Sequence, residues 1–137
     1  MAMEKPIGIA LIICDRVITD SKTNEKTLVG TFNQVSAQSF PAMHPRLSIF
    51  VGVTSGRGSV KGEIRCFNEA TASEPVFGAA GPILFRDPCH VVEITFELRN
   101  VVFHQPGMYN VQFLCDGELV FSRRFSVREL KKPGIAL

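Results

Sequence analysis

The chain is 137 residues long, 45% hydrophobic and 20% charged, and its 15 Lys+Arg against 13 Asp+Glu give a formal net charge of +2. That length is one domain's worth and buries roughly two-thirds of the surface its unfolded form exposes, so neither disulfides nor a metal are needed to hold it together, and the composition excludes disorder. The near balance of charge excludes the strong electrostatic footprint of a nucleic-acid or anionic-membrane binder and leaves only a local basic patch open.

The apolar run from Ile7 to Cys14 follows Lys5. It is short for a secretory signal, ends in Asp15–Arg16 and has no small-residue cleavage site after it, so it reads as a buried strand. No stretch approaches the roughly 20 apolar residues of a membrane-spanning helix, and the expected location is the cytosol. The turn-forming "TDSKTNEK" separates this strand from "TLVGTFNQV", and the proline-bearing loop "SFPAMHPR" leads into "LSIFVGVT". "SGRG" has the glycines of a hairpin turn. In "SVKGEIRC", Val60, Ile64 and Cys66 alternate with Lys61, Glu63 and Arg65, the period of a half-buried strand.

"NEATASEP" and "RDPCH" flank "VFGAAGPILF", a less regular strand that also reads as two short ones. "VVEITFELRN" sets Val92, Ile94, Phe96 and Leu98 on one face and Glu93, Thr95, Glu97 and Arg99 on the other. After "HQPG", the run "MYNVQFLC" points Tyr109, Val111, Phe113 and Cys115 inward. Asp116–Gly117 is the strongest hairpin signal, because that pair supplies the positive φ angles of a type I′ turn, and it leads into "ELVFSRRFSV". The tail over 129–137 has no strand partner in view and is expected to be mobile.

No segment of ten or more residues has helical spacing. The pattern predicts an all-β fold with little or no helix: an antiparallel β-sandwich of about eight strands, with immunoglobulin-like or Greek-key connections. One domain spans 1–137, with its core over about 7–128. "PGMYNVQF" resembles the start of a strand in immunoglobulin-like modules, where a tyrosine packs at the sandwich corner, but the Cys–Trp–Cys hallmark is missing.

"ICDRV", "LVGTFNQV", "FPAMHPRLSIFVGVTSGRG" and "ELRNVVFHQPGMYNVQFLCDGELVFSRRFSV", in that order, resemble a family of short bacterial proteins that carries only a domain-of-unknown-function label. The likeness runs from about Ile9 to Arg128. It implies a bacterial, cytosolic, single β-sandwich domain and brings no catalytic or binding residue with it.

Chemical motifs are sparse. Cys14, Cys66, Cys89 and Cys115 are scattered without a C-x-x-C pair, so free thiols are expected. Cys89 and His90 are neighbours on extended chain and point to opposite faces, poor geometry for a thiolate–imidazolium pair, so "RDPCH" reads as a structural turn. If successive loops alternate between the two ends of the sandwich, His44, Glu69 or Glu74, and His104 share one end. Two histidines and a carboxylate are a permissible zinc or iron set, although no local metal motif accompanies them. The glycines of "GRGSVKG" precede a strand, not the helix a phosphate loop requires. In the last strand Arg123 shares the parity of Leu119, Phe121, Phe125 and Val127, and burying it is costly unless it is paired or a bulge turns it out. Arg123 and Arg124 then read as charges guarding an edge strand, or as a patch for an acidic partner. Phe50 and Val91 fall on nominally polar faces and are candidates for an apolar self-association patch.

The function expected from these residues is a non-enzymatic cytosolic binding or assembly module with a protein partner or self-association, no cofactor, no membrane contact and no recognition motif for nucleic acid. The alternative is a metal-dependent or small-ligand-binding enzyme using His44 and His104 on rim loops.

Overall fold

The computed structural model describes residues 5–71 and 74–130. Nine strands follow one another: β1 (Ile7–Thr19), β2 (Lys26–Thr31), β3 (Gln34–Ala37), β4 (Ala42–Thr54), β5 (Gly58–Asn68), β6 (Phe77–Phe85), β7 (Val92–Phe103), β8 (Gly107–Cys115) and β9 (Glu118–Glu129). They form two packed sheets, ordered β2-β1-β4-β7 and β3-β9-β8-β5-β6. The all-β sandwich read from the alternation is therefore what forms. Its core lies between the sheets, where Ile13, Ile49, Val51 and Val53 of the first meet Ile64, Val111, Phe113 and Val127 of the second.

The inward residues of β5 and β8 are those the period of two selected, with Ile64, Cys66, Tyr109, Val111, Phe113 and Cys115 all buried. The alternation in β7 holds through Phe96 and Leu98 and then skips, because Asn100 has φ 54 and turns the strand so that Val101 and Phe103 continue the buried face. "VFGAAGPILF" is one strand, paired with β5 from Phe77 to Phe85. Its Pro82 is tolerated because β6 is an edge. Of the tail expected to be mobile, Glu129 ends β9 in register with Ala37 and Leu130 N donates to Ala37 O at 2.7 Å, while 131–137 lie outside the described residues.

Three expectations are corrected by topology. "TLVGTFNQV" is not one strand: the chain leaves the first sheet after β2 and joins the second as β3, which pairs with β9 in parallel, so the sandwich has nine strands and one parallel ladder. "SGRG" is no hairpin, since β4 and β5 belong to different sheets and the turn is a crossover. β9 is not an edge along its whole length, because β3 covers Ser126–Glu129 on the side away from β8, while no described strand pairs with that side of Glu118–Phe125. A register shift between Phe113 and Leu114 also turns Leu119 out to 55% exposure, against its predicted inward parity.

The crossover explains a glycine that a hairpin would not. Gly56 is buried, and a Cβ there would stand 2.4–2.8 Å from the Phe85 ring. Gly56→Ala is expected to destabilise the fold by about 1–3 kcal/mol through overpacking. Denaturant unfolding measures this, and Phe85→Leu in the same chain should recover part of the loss by making room.

Candidate functional site

At one end of the sandwich the tip of β5, the segment after it and the β7–β8 turn enclose an open cleft of about 480 Å³, lined by Asn68, Glu74, Asn100, His104, Gln105 and Tyr109 among others. Its walls are fixed by local chemistry. Asn68 Oδ1 accepts from the backbone N–H of Ala70 at 2.8 Å and of Thr71 at 3.4 Å, which shapes the turn leaving β5. Tyr109 Oη donates to Gln105 O at 2.6 Å, which pins the β7–β8 turn over the core. Tyr109→Phe is expected to cost about 1–2 kcal/mol by leaving that carbonyl without its partner, measurable by thermal or chemical unfolding.

The predicted rim constellation is only partly assembled here. Glu74 and His104 line the cleft, whereas His44 lies within β4, its ring 5.7 Å from that of Phe32. "SFPAMHPR" does not supply a free loop at this point because β4 starts at Ala42 and pairs His44 with Val101. Glu69 is committed elsewhere: both its oxygens accept from the Arg124 guanidinium at 2.9 Å, and Asn110 adds a third contact at 3.3 Å. Those hydrogen bonds, that from Arg124 foremost, hold the Glu69 carboxyl below the usual glutamate range. Among the described residues no group of three or more His, Cys, Asp and Glu side chains is placed to hold a metal ion.

Arg123 keeps the inward parity its sequence position demands and is half-buried. Its cost is met by pairing: Nη1 donates to Leu11 O at 2.7 Å and Nη2 to Asn33 Oδ1. The guanidinium thus bridges the two sheets where the chain crosses from β2 to β3. Both arginines lie on the part of β9 that β3 leaves uncovered, Arg123 bonded at the seam between the sheets and Arg124, still largely exposed, on Glu69.

The turn holding Cys89 and His90 is structural in its bonding. Asp87 Oδ1 accepts from Cys89 N at 2.8 Å, and Thr54 Oγ1 donates to His90 O at 3.0 Å. All four cysteines are free thiols. Burial pushes the Cys66 thiol far up, raises Cys14, and lifts Cys115 to about 11, so these three stay protonated near neutrality.

The outer surfaces of the sheets remain. Phe50, predicted as an exposed contact, is 7% exposed. It stands on the outer face of a central strand, where Ile12 of β1 and Thr95 of β7 flank it in register. Val91 is exposed as expected.

The four edges differ. β2 has six residues and β3 four, while β6 carries Gly78, Gly81 and Pro82. β7 has twelve, with neither proline nor glycine. Its outer face alternates Glu93, Thr95, Glu97 and Arg99, all exposed. Its length was legible in the sequence, but its place at an edge was not.

A model of a family of unknown function matches residues 9–128 of the chain. No curated protein matches it. Among solved structures, a β-glucosidase from Listeria innocua in complex with isofagomine is similar over 94% of this chain and 17% of its own, at 12% identity and a TM-score of 0.50. The Pseudomonas fluorescens alkylpurine DNA glycosylase AlkC, bound to DNA containing an abasic site analogue, is similar over 70% of this chain and 27% of its own, at 16% identity and a TM-score of 0.45. This chain therefore spans well under a third of either protein, and the first likeness is one of fold alone.

Proposed function

The chain belongs to the family of unknown function DUF6941, and from that premise we propose that it is a non-enzymatic binding or assembly module that works through its sheet surfaces. The observation that carries this reading is β7, a twelve-residue edge strand without proline or glycine, whose unpaired backbone groups are a template for another strand. The setting we assign is a bacterial cytosol, supported by the resemblance to short bacterial proteins and by four free thiols. We also read the sandwich as immunoglobulin-like, on the Tyr109 corner contact.

Native mass spectrometry of untagged protein, set beside its denatured mass under non-reducing conditions, tests the module against the enzyme alternative. The expected result is a chain, or a clean multiple of it, with no stoichiometric metal or small molecule. A retained metal that is lost on His104→Ala would overturn the reading and make the cleft with Glu74 and His104 the functional centre.

A further inference from the structure

We propose that β7 pairs antiparallel with β7 of a second copy of this chain, about a two-fold axis at Phe96, joining two four-stranded sheets into one of eight. This rests on the assembly reading above and names its partner. Of the four terminal strands of the two sheets, β7 is the longest; the others are short or carry residues that weaken a ladder.

The register follows from the charges along the regular part of the strand. Asn100, with φ 54, ends the regular part of β7, leaving Val92–Arg99 extended. Pairing centred on Phe96 engages Glu93–Arg99 of that segment and places Ile94 against the partner's Leu98. The same register sets Glu93 opposite the partner's Arg99 twice over, on the exposed face where directly opposed side chains meet. Slipping by two residues in either direction puts like charges together: Glu93 against the partner's Glu97 one way, Glu97 against itself the other.

The inner face supports the same partner. Val51 and Val53 of β4 are fully buried, whereas their in-register neighbours Ile94 and Val92 on β7 are only half-buried at the open flank. A second β7 would bring the partner's Leu98 beside Ile94 and cover apolar surface the monomer leaves accessible. The two-fold makes the contact self-complementary and closed, so the product is a dimer and not a fibre.

Light scattering coupled to size exclusion, across a concentration series, tests this on the full chain. The wild type is expected at twice the 15.1 kDa chain mass. Glu93→Arg sets two arginine pairs face to face, and Arg99→Glu sets two glutamate pairs, so each is expected to weaken dimerisation by about tenfold or more. Mixing the two variants should restore the dimer as a heterodimer, because each charge then meets its opposite. Both substitutions are on exposed positions, and circular dichroism checks that the fold is kept. A wild type that stays monomeric at every concentration, or a dimer indifferent to both reversals, overturns the β7 pairing. A monomer free of metal and ligand would still leave the module reading standing, so the two failures are distinguishable.

Discussion

Phe103→Ala is expected to cost about 3–5 kcal/mol of unfolding free energy, enough to leave a domain of ordinary stability marginal. Phe103 is fully buried at the end of β7 and meets Tyr109 edge-on at 5.2 Å and Phe125 at 5.9 Å, while Tyr109 and Phe125 stack at 5.6 Å. The three rings come from β7, β8 and β9, so the cluster joins the two sheets at the end where the cleft opens. Removing the central ring takes away the transfer free energy of its carbons and leaves a void that two neighbouring aromatic rings, held by their own strands, fill poorly. Guanidinium denaturation gives the number. Phe103→Leu should recover a large share of the loss, because it keeps most of the volume and loses only the ring geometry. A loss under 1 kcal/mol for the alanine variant would mean that the two sheets close over the gap without the ring.

The second large effect is expected at Arg123. Arg123→Ala removes donors from Leu11 O and Asn33 Oδ1 at the seam between the sheets, at a cost of about 1.5–3 kcal/mol. Lysine should rescue little: one ammonium on a flexible stem cannot present the guanidinium fork to two acceptors, one on β1 and one in the link between β2 and β3. Asn33→Ala combined with Arg123→Ala should cost less than the sum of the single changes, because the two share one interaction. Strict additivity would show that the Asn33 contact carries no energy, and an unchanged midpoint for Arg123→Ala would show that the half-buried guanidinium is merely accommodated.

Burial of Arg123 was legible from its parity with Phe125 and Val127, and so was the need for a partner. Which partner was not, because Leu11 lies 112 residues away in sequence and reaches Arg123 only when the sheets stack. Similarly, the rim alternation brought His104 and Glu74 to one cleft and left His44 outside it. His44 stands at that same end but on a strand, because β7 offers a ladder that extends β4 back to Ala42.

By itself the sequence determined the strands and their faces, since the period of two is a local property: each side chain's direction follows from its neighbours along the chain. It also determined the Asp116–Gly117 turn, whose positive φ angles of 49 and 82 are requirements of two adjacent residues. Only the tertiary structure decided which strands are central and which are edges. It covered the end of β9 with a parallel β3, made Phe50 buried, and left β7 with one side open. The physical reason is that strand order is set by non-local hydrogen-bonded pairing and by the shared burial of two faces, to which a strand's own alternation contributes the same signal whether it has one neighbour or two.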